Sequence, residues 1–171
     1  MEVGPARLDE ARAVAELQVR TWQAAYPGIV PEEYLASLSV EKFEKMWHGT
    51  IIKGVPQLLV ARESETQLGW VAFGPSRDQG AAATDAEIWA IYVGVPHWGR
   101  GVGRQLWLQA RERMRAQGFE SVSLWAFPEN QRAGRFYAGL GFEVDPKSHK
   151  QFTLGGAQLN EIRFVRRIET A

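Results

Sequence analysis

The chain contains no cysteine, and its three histidines, His48, His97 and His149, lie far apart. Disulfides, thiolate metal sites and cysteine nucleophiles are excluded, and no local histidine pair suggests a ligand set, so no metal is expected. Net charge is missing too: twenty Lys and Arg balance twenty Asp and Glu. That balance speaks against nucleic acid or an anionic membrane as the main partner. No apolar run approaches the roughly 20 residues of a spanning helix, and Met1 to Glu16 holds no apolar leader-like core. The expectation is a soluble, cytoplasmic protein. What is present is 45% hydrophobic and 11% aromatic residues in 171, with 17 Gly and 8 Pro spread along the chain. This is the composition of a single domain over 1–171 with a full core. Seven Trp supply either that core or an interface, which leaves a homodimer open.

Val3 to Arg7 reads as a first strand, and Asp9 as the cap of a helix reaching about Ala25. Tyr26, Pro27 and Gly28 break it, Pro31 with Glu32 and Glu33 starts a second helix, and Ser39 caps a third ending near Gly49. Gln57 to Arg62 and Leu68 to Phe73 suit two strands of a hairpin. After the polar loop Ser76 to Ala83 comes an apolar strand, Ala86 to Val93, broken by one acid, Glu87. Gly99 to Gly103 leads into a helix with an apolar face of Val102, Leu106, Ala110 and Met114, closed by Gly118. Ser121 to Phe127 is another strand, making a parallel crossover. A short helix runs from Asn130 to Leu140. Phe142 to Val144 and Leu159 to Ile168 finish as a strand pair separated by a polar excursion.

Four features carry chemistry. GRGVG before a helix lets backbone N–H groups and the positive end of the helix dipole approach an anion such as a pyrophosphate. It is not a dinucleotide fingerprint, since Arg104 stands where glycine is needed, nor a P-loop, and the competing reading is a turn that merely needs glycines. Glu87 shares a face with Trp89, Ile91 and Val93 by the two-residue period. A carboxylate so surrounded should have a raised pKa, as a general base wants, and the competing reading is an edge salt bridge. Asn130 reads as a helix N-cap. Tyr137 sits about 100 degrees from Phe136 on its helix, so that Phe136 and Leu140 face the core and Tyr137 is free to face something else; it reads also as a boundary aromatic.

The order of these pieces, AEIWAIYVGVPHWGRGVGRQLW and then SVSLWAFPENQRAGRFYAGLGFE, resembles the acyl-CoA-binding core of the GNAT superfamily of N-acetyltransferases. The upstream GWVAFGPSRD fits it too, and TWQAAYPGIVPEEYLASLS is similar to the helical amino-terminal part of many bacterial members. The resemblance implies an α/β fold with a mixed, mostly antiparallel sheet flanked by helices, whose fourth and fifth strands splay apart around acetyl-CoA. It implies that backbone groups of Ile91, Tyr92 and Val93 pair with the pantetheine amides. Gly99, Arg100, Gly101, Val102, Gly103 and Arg104 would hold the phosphates, with Trp98 departing from the Gln or Arg usual at the first position. Asn130 would touch the pantetheine arm and Tyr137 would assist the leaving thiolate. Glu87, fourteen residues before Gly101, stands where several members place a base. The helices before the second strand would cover the acceptor mouth, making Trp22 and Tyr26 candidates for substrate contact, although Trp22 reads equally as core. The implied activity is acetyl transfer to a small-molecule or peptide amine by direct attack in a ternary complex. The alternative is a non-catalytic acyl-CoA-binding or sensory module.

Overall fold

The computed structural model describes residues 1–169. In chain order the elements are β1 (Glu2–Pro5), α1 (Ala11–Ala25), α2 (Glu32–Ala36), α3 (Val40–Lys53), β2 (Gln57–Glu63), β3 (Thr66–Pro75), β4 (Asp85–Val93), α4 (Val102–Ala116), β5 (Ser121–Ala126), α5 (Gln131–Gly139), β6 (Glu143–Leu154) and β7 (Ala157–Arg167). One seven-stranded sheet takes the order β1-β2-β3-β4-β5-β7-β6. Only β4 and β5 pair in parallel.

Each face of the sheet buries its own cluster. The apolar stripe of α4, with Leu106, Ala110 and Met114, packs on Leu59, Val71, Phe73 and Ile88. On the other face α1 and α3 cover Leu58, Val60, Trp70 and Ala72 with Val14, Ala15 and Trp47. The two indoles buried there keep their polar ends satisfied: Trp70 Nε1 donates to the Val14 carbonyl at 3.1 Å and Trp47 Nε1 to Gln18 Oε1 at 2.7 Å. An aromatic of that size contributes apolar burial only if its N–H finds a partner, and both do. This packing also carries α3 past the expected stop at Gly49 to Gly54, whose φ of 71° ends the helix. Ser39 caps it as expected, accepting from the Lys42 N–H at 3.2 Å.

Two expectations change at the chain's ends. Asp9 does not cap α1; the acid that organises the entry is Glu10, which accepts from the Arg7 N–H at 2.7 Å and grips the Arg62 guanidinium on β2. The polar excursion after Val144 is mostly strand. Pairing of β6 with β7 is interrupted only between Asp145 and His149 and then runs to Leu154–Ala157. The sequence there is polar because one face is wet, while Phe152 and Leu154 point into a third cluster with Val30, Leu35 and Phe127. Gly155 and Gly156, both at positive φ, make the two-residue turn, the connection that suits a tight hairpin. A Cβ on Gly155 would lie 2.7 Å from Tyr34 Cβ, so the hairpin tip rests on α2.

Candidate active site

The pairing of β4 with β5 stops after Asp85, Ala86 and Glu87 meet Ser121, Val122 and Ser123. Beyond that point the strands diverge, and a cavity of about 900 Å³ opens between them. One part of its wall is the end of β4, the 97–101 loop, the start of α4, and α5; another is α1 and the β6–β7 hairpin. The splayed fourth and fifth strands anticipated above are present.

The glycines of the loop serve two different needs. Gly99 and Gly101 adopt φ of 74° and 81°, a left-handed conformation that costs any other residue energy. Gly103 instead provides space, because a Cβ there would stand 2.9 Å from Phe136 Cζ on α5. Gly101 is the N-cap of α4, so the N–H groups of Val102, Gly103 and Arg104 have no partner within the helix and face the cavity. Arg104 lines the cavity. Arg100 does not: it is exposed and lies outside the wall. In its place α5 contributes Arg132 and Arg135, three residues apart and therefore on one helix face. That spacing just after Asn130 was the available signal for these two cations, which the sequence reading missed.

Trp98 explains its own departure from the usual residue. Its Nε1 donates to the Val93 carbonyl at 2.8 Å, and the Arg132 guanidinium stacks 4.0 Å above its ring. Thr21 Oγ1 also approaches that carbonyl, at 3.5 Å. Of the backbone groups expected to be free at Ile91 to Val93, the Val93 carbonyl is thus already engaged. Asn130 caps α5, its Oδ1 accepting from the Ala133 N–H at 3.2 Å, and it lines the cavity as well.

Glu87 departs most from expectation. Ala72 pairs with Ala90 and Phe73 with Ile88, so Trp89 is an extra residue, a bulge in β4. A bulge inverts alternation beyond it. Ile88, Ile91 and Val93 therefore pack toward α4, whereas Trp89, Ala90 and Tyr92 join the other face, which Glu87 shares. The carboxylate is 1% exposed and absent from the cavity wall. Arg77 takes it up completely, through its backbone N–H at 2.9 Å, Nε at 3.2 Å and Nη2 at 2.5 Å. The same guanidinium lies 4.1 Å over the Trp89 ring. Glu87 is thus in a salt bridge, buried on a strand paired on both sides and not at an edge, and the two-residue period failed because a bulge is invisible to it.

Tyr137 lines the cavity, its ring against Phe136, Phe142 and Phe164 at centroid distances of 5.3, 6.0 and 5.3 Å. Phe136 lines the cavity too, so the two rings do not divide into one core and one free. Burial, and next the neighbouring Tyr92, raise the Tyr137 phenol above its ordinary range, which keeps it protonated at neutral pH. Burial likewise raises Tyr26 and Tyr92, and the three phenols lie within electrostatic reach of one another. Trp22 and Tyr26 both line the α1 part of the wall, in edge contact at 5.2 Å, and Tyr26 meets Phe127 at 5.1 Å. The sequence reading missed Glu161, the one carboxylate on the wall among the described residues. Burial raises its pKa; Lys150 and Arg77 oppose that rise and Glu87 adds to it.

The model of the acetyltransferase (GNAT) family matches residues 12–142. An uncharacterized N-acetyltransferase of Bacillus subtilis (strain 168), YuaI, is 28% identical over 94% of this chain and 89% of its own. A spermidine N(1)-acetyltransferase of Thermoplasma acidophilum is 23% identical over 90% of this chain and 95% of its own. Among solved structures, the fold is shared with the PaiA N-acetyltransferase of Thermoplasma acidophilum in complex with coenzyme A, at a TM-score of 0.79 and 21% identity over 97% and 98% of the two chains. It is shared also with the putative acetyltransferase YncA of Salmonella typhimurium with acetyl-CoA, at a TM-score of 0.75 and 18% identity over 100% and 95%.

Proposed function

Because this chain belongs to the acetyltransferase (GNAT) family, we propose that it transfers the acetyl group of acetyl-CoA to a primary amine by direct attack in a ternary complex. The observation that carries the reading is one cavity whose wall brings together the N-terminal residues of α4 with Arg104, Arg132 and Arg135, the Tyr137 phenol and the Glu161 carboxylate. The cationic part suits the phosphates of the coenzyme. The unpaired strand edges between β4 and β5 suit the pantetheine amides, and Asn130 borders that path. A relative that acts on spermidine supports an amine as acceptor. The reading puts the protein in the cytoplasm, where acetyl-CoA is available.

The chain has no cysteine to carry the acetyl group, so the amine attacks the thioester itself. An ammonium acceptor loses two protons in becoming an amide: one is released and one ends on the coenzyme sulfur. A free thiol has a pKa of about 8.5 and a phenol about 10, and Tyr137 is raised further. Outright proton transfer from Tyr137 to the thiolate is therefore uphill. Its hydroxyl instead donates a hydrogen bond to the sulfur as the C–S bond breaks, and the proton that remains there comes from the attacking nitrogen. Glu87 does not meet the acceptor in this scheme; through Arg77 it fixes the Trp89 wall.

The test is calorimetry of acetyl-CoA binding followed by a screen of amines for free-thiol release. Absence of binding overturns the reading, and binding without transfer to any amine favours the non-catalytic acyl-CoA-binding alternative.

A further inference from the structure

Resting on that reading, we propose that Glu161 is the acceptor-binding carboxylate and that the acceptor is a mono-ammonium compound with a flat apolar body, of the arylalkylamine kind. Glu161 lies on β7 opposite Lys150 of β6, and Leu159 opposite Phe152. The inward face of the hairpin thus presents an acid beyond an apolar patch. The wall contributed by α1, β5 and the hairpin is otherwise largely aromatic, with Trp22, Tyr26, Trp125, Phe127 and Phe152 beside Ala25, Ala126 and Leu154. Rings in such a cage hold both an apolar body and an adjacent cation.

Charge counting narrows the class. The cations around Glu161 are already matched. Arg77 is held by Glu87. Lys150 reaches Asp78 at 3.3 Å while covering the Trp125 ring at 4.0 Å. Arg163 meets Asp78 at 3.1 Å and Asp145 at 3.4 Å. Among the described residues no ion pair or side-chain hydrogen bond engages Glu161, so the wall there carries one uncompensated negative charge. A single ammonium completes it. A polyamine would bring further cations with no second carboxylate on the wall, among the described residues, to meet them, and an amino acid would set its carboxylate beside Glu161; a half-buried site opposes both.

With one ammonium, the group bound at Glu161 is the nucleophile. Glu161 is within electrostatic reach of Tyr26 and Tyr92, and both of these reach Tyr137. The Glu161 carboxylate takes one ammonium proton and becomes a neutral acid. The freed lone pair forms the C–N bond, the C–S bond breaks, the second nitrogen proton passes to sulfur, and Glu161 returns its proton to water. Burial narrows the gap between an ordinary carboxyl near 4.3 and an ammonium near 10.4.

The experiment compares 2-phenylethylamine, spermidine and phenylalanine as acceptors by thiol release. In parallel, calorimetry measures 2-phenylethylamine binding to the protein loaded with CoA. The expected result is a kcat/KM for 2-phenylethylamine at least about tenfold above the other two, from the charge mismatch alone. Glu161→Gln should weaken that amine's binding by about ten- to a hundredfold, leave CoA affinity unchanged and remove the acidic limb of the rate profile. Glu161→Asp should keep the limb. Preference for spermidine or phenylalanine, or an unaltered Glu161→Gln enzyme, overturns the proposal. Acetyl-CoA binding with neither binding nor transfer of 2-phenylethylamine overturns it alone, whereas failure to bind acetyl-CoA overturns the reading beneath it.

Discussion

In the proposed reading, two parts of the cavity wall, a coenzyme end and an acceptor end, recognise their ligands by different means. At the coenzyme end the work falls to backbone: left-handed Gly99 and Gly101, the open N–H groups that follow, and a Gly103 whose missing Cβ lets α5 close in. At the acceptor end it falls to side chains drawn from four elements: Trp22 of α1, Trp125 of β5, Phe152 of β6 and Glu161 of β7. Backbone recognition constrains residue identity tightly, because those φ values strain any other residue and the Gly103 contact leaves no room for a Cβ. Side-chain recognition leaves many solutions open, since an aromatic wall with one acid can be assembled from different positions on the same frame. The comparison can be broken by finding that a loop substitution spares the coenzyme, or that an acceptor-end substitution does not.

The largest effect should come from Gly103→Glu. The new Cβ collides with Phe136, which lies 2.9 Å away, and the carboxylate opposes an anion at a helix N-terminus. Calorimetry should show acetyl-CoA affinity lowered by at least about thirtyfold, the sum of a steric and a charge penalty of about a kcal/mol or more each. Gly103→Ala separates the two terms, since it keeps the collision and adds no charge. Unchanged affinity in the Glu variant would remove the loop from coenzyme binding.

Tyr137→Phe comes next. Its proposed partner is the departing sulfur, so its effect should fall on chemistry alone: kcat lower by about ten- to a thousandfold with the coenzyme dissociation constant unchanged. The ring contacts with Phe142 and Phe164 survive in Phe, which keeps the fold out of the comparison. Equal kcat would return Tyr137 to a boundary aromatic.

This division also explains how much could be read before the structure. The element order, the splayed strands, the glycine loop, Asn130 and Tyr137 follow from local spacing and from the resemblance those residues carry. Three things did not follow. The bulge at Trp89 shifts the face of every later residue in β4, and nothing in AEIWAIYV announces it. The strand character of Glu143–Leu154 was hidden by a wet outer face, although the Gly155–Gly156 turn signalled a hairpin. Glu161 becomes a site residue only when that hairpin brings it opposite α1, a relation between residues about as distant in sequence as the chain allows. Its acidity is unremarkable in LNEIRF, and its environment is entirely tertiary.

A smaller effect is expected at Trp22 and Tyr26. These residues pack in the third cluster and line the cavity at once, so kinetics must separate a substrate role from the core role weighed for Trp22. Each is only half-buried, so the stability cost of Trp22→Ala should fall below the roughly 3 to 5 kcal/mol of a fully buried aromatic. KM for the acceptor should rise several-fold while coenzyme affinity holds, as expected when only acceptor binding is weakened. Parallel loss of both substrates would show that the aromatic wall supports the coenzyme end too, and the division drawn above would fail.

The finest test concerns Glu87. If it were the base, Glu87→Gln would abolish the acidic limb of kcat/KM. In the arrangement described here the limb belongs to Glu161, and Glu87 acts on it only through charge. The negative Glu87 raises the Glu161 pKa, while Arg77 lowers it. Removing the negative charge therefore lowers the Glu161 pKa, and the Arg77 charge, no longer offset, acts in the same direction. Activity that needs ionised Glu161 should then set in at lower pH: the limb shifts toward acid and is not lost. Because the Arg77 side chain is 52% exposed, water screens much of its charge, and the shift should stay within about one pH unit. A loss of the limb would restore Glu87 as the base, and a shift toward higher pH would mean that the freed Arg77 has left the wall and that burial alone governs Glu161.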